Sequence, residues 1–406
     1  MESLPTMRLG AGFDHLKDVL VVDLTTSVAG PYATMTLADF GASIIKIERP
    51  GHGDDARAWG PPFLDGQSLF FLAVNRNKRS LTLDITRPEG RSVFEELVGR
   101  ADVVVTNQPA NVQKKLNTDF ESLRALNNRL IYASITGFGL TGERADWTCY
   151  DLIAEGYSGV MDITGAADGA PQKIGTPAAD MLAGQDAAMA IMAALIKRGR
   201  DCGAQLLDIS LVESMARFLA CRVVAYLGSG SAPRRSGGTD SVIAIYQAFE
   251  TADHPITLGI GTDGIWKRFW QAVGRPDYAA MPQFGSNADR RTHRGKIVAD
   301  IQEILMRAPR AEWLKKLAEA RVPAGPINSV AEAAADAALQ ARGLFYALDD
   351  GKRRVPQVGL GIQVNGQTMQ PRALPPELGA DTDAILTNLL NYSPAQIASL
   401  RAANAI

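Results

Sequence analysis

Asp180 lies in Gly175-Thr-Pro-Ala-Ala-Asp180-Met-Leu-Ala-Gly184-Gln-Asp186, where a proline-bearing loop runs into an apolar helical stretch. A helix N-terminus favours a negative charge at its mouth, and the small neighbours let a bulky ligand come close. A carboxylate desolvated on one side can attack an activated acyl group and carry it as an anhydride. Taken alone, an acid here is more often an ordinary N-cap or first-turn residue, so its surroundings decide.

Other residues offer competing chemistry. Gly137-Phe-Gly139-Leu-Thr-Gly142 fits the GxGxxG turn of nicotinamide-dependent oxidoreductases and follows an apolar run. Glu143-Arg-Ala-Asp-Trp147 does not open an apolar-faced helix, and Asp162 falls in a helical stretch, so a flexible glycine-rich loop is the favoured reading. Val28-Ala-Gly30-Pro31-Tyr32 is either a ligand-binding turn or simply a tight βα turn, with Pro31 suited to a first helical turn. Lys46, Arg49, Arg76, Lys78, Arg79, Lys114 and Lys115 recur near strand ends. Solvated surface charge is the default for each; gathered at one sheet edge, several could hold a phosphate-rich ligand. His15, His52, His254 and His293 form no HExxH or paired spacing, which disfavours a zinc site. Neither GxxxxGK[ST] nor GxSxG occurs.

The elements that must position these residues read as alternating strands and helices over about 17–212. Apolar runs Val19–Leu24, Ile44–Ile47, Val103–Val105, Leu130–Ile135 and Leu206–Ser210 alternate with helical stretches near 31–40, 88–100, 119–127, 151–163 and 178–198. That pattern predicts an α/β fold with a Rossmann-like, doubly wound parallel sheet. Gly228-Ser-Gly-Ser-Ala-Pro-Arg234-Arg235-Ser-Gly237-Gly238-Thr-Asp-Ser breaks it. Beyond it, a smaller α+β unit is expected, with strands Val242–Phe249 and Ile256–Ile260 and helices near 263–273, 290–306 and 310–320. An alanine-rich helix, 329–342, leads to a tail that ends in a helix after Pro394. The expected division is 1–225 for most of a large domain, 226–330 for a small domain with a glycine loop, and 331–406 for a return linker and the rest of the large domain.

The 406 residues are 46% hydrophobic and 21% charged with a net charge of −2, so no global basic field attracts nucleic acid or anionic membrane. Cys149, Cys202 and Cys221 form no disulfide framework or metal pair. The N-terminal stretch lacks the plan of a signal peptide, and no unbroken apolar run approaches the ~20 residues of a membrane span. A cytoplasmic protein without resident metal is expected.

In order along the chain, Val28–Pro31, Ala38-Asp-Phe-Gly-Ala42, Ile45-Lys-Ile-Glu-Arg-Pro-Gly51, Asn75–Asp84, Arg87-Pro-Glu-Gly90, Ala101–Val105, Gly137–Gly142, the Asp180 segment, Val322–Pro326 and Leu378–Asp383 resemble the class III CoA-transferases of the formyl-CoA transferase/CaiB–BaiF type. The likeness covers nearly the whole chain. It implies an interlocked, ring-like homodimer, each chain a Rossmann-like large domain joined to a small one by linkers. It also implies no permanent cofactor, CoA thioesters and small carboxylic acids as substrates, and an aspartate nucleophile matching Asp180. Family CoA contacts match Val28, Ala29, Arg49, Leu83, Asp84, Ile85, Thr86, Asn107, Gln108, Pro109, Lys115, Thr148, Cys149, Tyr150 and Asp151. Two family lysines are replaced here by Thr86, with Arg87 beside it, and by Thr148, so the CoA phosphates are expected to be held differently. A glycine-rich lid corresponds to Ser236-Gly237-Gly238-Thr239; its tetraglycine run is absent, which disfavours formyl-CoA/oxalate chemistry.

The resemblance implies transfer of CoA from an acyl-CoA donor to a carboxylic acid through aspartyl anhydride and aspartyl-CoA intermediates. Succinyl-CoA and mesaconyl-CoA are compatible donors, and Arg234 and Arg235 hint at a second substrate carboxylate. A 2-methylacyl-CoA racemase on the same fold would need a second base, and those relatives place a histidine where Tyr150 stands here. Tyrosine, with a pKa of about 10, is a poor base at neutral pH. A non-catalytic acyl-CoA-binding protein would bind CoA without forming an adduct.

Overall fold

Six strands form one wholly parallel sheet: β1 (Leu20–Asp23), β2 (Ser43–Glu48), β3 (Lys78–Thr82), β4 (Val103–Thr106), β5 (Ile131–Thr136) and β6 (Gln205–Ser210). In the computed structural model, which describes residues 3–198 and 203–406, their order is β3-β2-β1-β4-β5-β6. Cys202 and the first two residues of the N-terminal stretch lie outside the described residues. This is the doubly wound order, and the connections change side between β1 and β4. A crevice therefore opens beyond the carboxyl ends of those two strands.

Helices cover both faces: α1 (Ala29–Asp39), α2 (Pro88–Arg100), α3 (Asp151–Ser158), α4 (Ala178–Arg198) and α5 (Leu211–Phe218), after which α6 (Ala220–Ser229) follows in the chain. On one face, Val93, Phe94 and Leu97 of α2 join Ile385, Leu386, Ile397 and Leu400 of two C-terminal helices. Together they pack against Val22, Ile45, Val104 and Tyr132. α1 and α4 meet closely, because a Cβ on Gly184 would lie 2.6 Å from the Ala29 carbonyl oxygen. α4 has the length and composition of a membrane span, yet Ala179, Ala183, Ala187 and Ile191 are buried within the fold. The helix expected over 151–163 breaks at Gly159, whose φ of +88° ends α3, and a short helix, Val160–Ile163, follows.

β3 was not expected, because Lys78-Arg-Ser-Leu-Thr82 reads as polar. Ion pairing explains its burial. Lys78 Nζ lies 3.1 Å from Asp23 Oδ2, and Lys46 Nζ lies 2.8 Å from Asp54 Oδ2, all four side chains being closed to solvent. Arg76 makes a two-pronged contact with Asp39, at 3.0 and 2.5 Å, and also donates to the Val358 carbonyl at 2.7 Å. Lys46, Arg76 and Lys78 are therefore interior partners of acids. They are neither solvated charges nor groups free to hold phosphate, which corrects the expectation for these three. Burial would raise the Asp23 pKa, but Lys78 and Lys46 outweigh it and hold it below the usual carboxylate value. Burial brings Lys78 down to about 8 against the pull of Asp23. The free edge of β3 is covered by the C-terminal segment: Ser80 N–H donates to Asp381 at 2.9 Å and Thr82 N–H to Thr382 at 3.1 Å.

Two compact units result. The first comprises the described residues up to Val160, with Ile174–Ala220 and Ala334–Ile406; the second is Met161–Lys173 with Cys221–Ala333. The second unit has an antiparallel sheet of Ile245–Phe249, Ile256–Ile260 and Ala324–Pro326. Trp266, Phe269, Trp270, Tyr278, Phe284 and Trp313 dominate its core, with Tyr278 stacked on Trp270 at 3.8 Å between centroids. The single helix expected over 329–342 is two short ones, Val330–Ala334 and Ala337–Ala341, because Asp336 caps the second by accepting N–H groups of Ala338 and Leu339.

Removing one partner of a buried pair leaves the other charge uncompensated. Asp39→Ala is expected to lose about 3–5 kcal/mol of stability in chemical denaturation, with Arg76 stranded in the core.

Candidate active site

The turn after β1 enters the crevice, and buried side chains hold it. Thr25 N–H donates to Asp23 Oδ1 at 2.9 Å, while Lys46 Nζ donates to the Thr25 carbonyl at 2.7 Å. The Asn107 amide, just beyond β4, brackets Thr26: Oδ1 accepts its N–H at 3.0 Å and Nδ2 donates to its carbonyl at 2.7 Å. Ser27 adopts a left-handed φ of 71°, and its N–H donates to Asp54 Oδ1 at 2.9 Å. Asp54 also accepts the Ala56 N–H at 2.9 Å. Val28 is buried as the residue preceding α1.

Asp180 occupies the first turn of α4 and is half-buried. The helix N–H groups expected to keep it ionised go instead to Asp151. Its Oδ1 accepts the N–H of Ala179 at 2.8 Å and that of Asp180 at 3.3 Å. Burial, joined by the charge of Asp151, pushes the Asp180 carboxyl up to about 7. Burial and the Asp180 charge likewise push the Cys149 thiol up to about 11. Cys149 sits against the glycine loop, where a Cβ on Gly137 would fall 2.1 Å from its own Cβ. No helix begins until Asp151, so the glycine run Gly137–Gly142 is a loop rather than a dinucleotide turn. Phe138 anchors it, edge-on to Trp147 at 5.9 Å and Tyr157 at 5.0 Å.

Two adjoining cavities occupy the crevice. One, of about 230 Å³, brings Asp180 together with Ala29, Asn107, Pro109, Thr148, Cys149 and Tyr150. Among its described lining residues there is no lysine, arginine or histidine, and Asp55 is a second acid. The other, of about 490 Å³, gathers Arg49, Leu83, Asp84, Ile85, Thr86 and Gln108. Thr26 and Asp55 line both. Arg49 is tied to Asp55 at 2.5 Å, both side chains exposed. Thr86 turns its hydroxyl onto Asp84 at 2.6 Å, and Arg87 lies 3.4 Å from the same carboxylate. That Thr86 hydroxyl bond, with the help of Arg87, holds Asp84 below the usual carboxylate pKa despite some burial. Lys115 is exposed and lines neither cavity.

The Ser236–Thr239 loop belongs to the second unit. Ser236 and Thr239 bond to each other's carbonyls through their hydroxyls, at 2.6 and 2.7 Å, closing a turn over Gly237 and Gly238. Gly237 has φ of +63° and donates to the Gly165 carbonyl at 3.1 Å. Arg235 is engaged by Asp162 at 3.1 Å, whereas Arg234 is exposed.

Sequence reasoning missed Thr26, Ser27, Asp55, Trp59 and Trp147 in the first cavity and His52, Leu116 and Asn404 in the second. Thr25-Thr-Ser27, small and polar directly after an apolar strand, was a readable signal. Asn404 had none, since only the tertiary fold returns the C-terminus to the Leu83–Thr86 segment, where Asp84 N–H donates to the Ala405 carbonyl at 2.8 Å.

Known proteins match this architecture along its length. The family model described as CoA-transferase family III matches residues 16–382. A succinate–glutarate CoA-transferase of Agrobacterium fabrum is 39% identical over 382 residues, covering 92% of this chain and 95% of that protein. An acetyl-CoA:oxalate CoA-transferase of Acetobacter aceti is 38% identical, covering 82% and 85%. The crystal structure of a CAIB/BAIF family protein from Brucella suis superimposes with a TM-score of 0.80 at 38% identity, covering 91% of this chain and 98% of that one. With the family pattern matched from residue 16 to residue 382, the chain belongs to CoA-transferase family III.

Proposed function

We propose that this CoA-transferase uses Asp180 as its nucleophile and moves CoA between short dicarboxylic acids, with succinyl-CoA as a donor. The observation that carries the reading is the Asp180 carboxyl raised to about 7 within the small cavity. Attack on a thioester gives an intermediate that can expel either the carboxylate or the thiolate. An ordinary carboxylate, of pKa about 4, leaves far more readily than a thiolate of about 8.5. Raising the carboxyl toward 7 narrows that gap and makes forward expulsion of CoA competitive. The dicarboxylate preference rests on the relatives: one carries succinate and glutarate in its name and the other oxalate.

Asp180 Oδ attacks the thioester carbonyl, a C–O bond forms, the C–S bond breaks, and CoA thiolate departs from an aspartyl–acyl anhydride. The thiolate then attacks the aspartyl carbonyl, and the donor acid leaves as its carboxylate, giving aspartyl-CoA. An acceptor carboxylate attacks that thioester, the thiolate is released again, and its attack on the acceptor carbonyl frees Asp180 and the new acyl-CoA. Each exchange joins groups of similar energy, so no nucleotide triphosphate is consumed. CoA runs from the larger cavity, beside Arg49 and Leu83–Thr86, past Thr26 and Asp55 to Asp180. Racemisation is disfavoured by the same geometry, since the neighbouring Cys149, its thiol at about 11, is a poor second base. A cytoplasmic homodimer completes the reading. α6 buries none of its residues in the protomer and leaves Val224 and Leu227 exposed, an apolar face suited to a second chain.

Incubation with succinyl-CoA and glutarate or oxalate, then hydroxylamine or borohydride trapping and peptide mapping, should find the modification on Asp180; an unmodified peptide in every sample sinks the mechanism. Asp180→Asn should abolish transfer while CoA still binds. The kcat/KM of the parent should rise with pH through about 7 as the free carboxyl ionises. Stability should show the opposite trend. The folded carboxyl loses its proton near 7 and the unfolded one near 3.8, so ionisation penalises the fold increasingly as pH climbs from about 4 to above 7. Asp180→Asn should therefore melt above the parent at pH 8 and lose that advantage near pH 4. Sedimentation should give a dimer at micromolar concentration, and a monomer there would contradict the assembly.

A further inference from the structure

Main-chain groups from the Thr25 N–H through the Ser27 N–H are held by the side chains of Asp23, Lys46, Asn107 and Asp54. Ser27 pays the steric cost of a left-handed φ of 71° without being glycine, and such a conformation persists only where its surroundings over-determine it. Asp54 supplies that constraint. It accepts from Ser27 and Ala56 through Oδ1, and Lys46 is fixed 2.8 Å from its Oδ2. Immediately afterwards α1 begins at Ala29. The first N–H groups of a helix have no partner within it, and of these the Ala29 N–H belongs to a residue that lines the cavity. Thr26, Ser27 and Ala29 line the same cavity as Asp180. When Asp180 attacks a thioester, the former carbonyl oxygen becomes an anion, and donors fixed beforehand stabilise it most.

We infer that Asp54 is a positioning residue for acyl transfer: by holding Ser27, it aims the first turn of α1 at the oxygen that becomes negative. The inference rests on Asp180 being the nucleophile.

Two paired substitutions isolate the hydrogen bond from the buried charges. Lys46→Met with Asp54→Asn removes both charges and keeps an acceptor for Ser27. Lys46→Met with Asp54→Leu removes the same charges at similar volume and leaves Ser27 without one. Single-turnover adduct formation with succinyl-CoA, CoA affinity by calorimetry and thermal melting are measured on both. The asparagine pair should form adduct within about tenfold of the parent, and the leucine pair roughly 100-fold more slowly than the asparagine pair. CoA affinity should differ little between them. Equal adduct rates in the two folded pairs overturn the inference. If the leucine pair does not fold, the asparagine pair still decides: a loss of about 100-fold in that folded variant overturns it, because the acceptor is retained. A parent protein that forms no adduct with any donor removes the Asp180 reading itself, and this inference with it.

Discussion

Lysine ammonium groups closed off from water at the carboxyl edge of the sheet must find carboxylates, and nearly everything in the crevice follows from that requirement. Lys78 takes Asp23 and Lys46 takes Asp54. These acids have oxygens to spare, and they spend them on the turn between β1 and α1. A buried pair of this kind contributes little net stability. Its value here is geometric, because it converts a flexible strand–helix junction into a fixed wall of the cavity. The same wall is narrowed from the other side by Gly184, which lets α4 close onto the start of α1.

Asp180 obeys the opposite logic. Asp23, Asp54 and Asp39 all have cationic partners, whereas the described lining of the Asp180 cavity offers none, and nearby Asp151 adds a like charge. The acids paired with lysine or arginine are thus committed to structure, whereas Asp180, with no such partner in its cavity, has its carboxyl raised to about 7. Asp151 is the hinge between them. By taking the N–H groups of Ala179 and Asp180, it caps α4 and denies that stabilisation to its neighbour.

The α/β class was legible because Val21, Val22, Val103–Val105 and Ile131 are apolar runs of strand length, buried on both faces. β3 was illegible for a physical reason. Lys78 and Ser80 are polar residues whose burial depends on Asp23 and Glu48, partners set by tertiary structure and absent from any local window. At the crevice, Asp180 stood out through its helix-mouth context, but the direction of its electrostatics did not. That depended on Asp151, 29 residues earlier in the chain, reaching the same N–H groups. Lys46, Arg76 and Lys78 looked like a phosphate-binding set for the converse reason, since spacing shows where cations fall but not which acids already hold them.

Residues 379–404 complete the strands laid down far earlier in the sequence. Residues 379–382 cover the open edge of β3, the helices Thr382–Asn388 and Pro394–Ala402 cover one face, and Asn404 walls the larger cavity. During synthesis on the ribosome, then, the nascent sheet carries an unpaired edge and a bare apolar face until residues 379–402 have emerged. A chain that has not yet reached Asn404 would leave the larger cavity open to solvent along that wall.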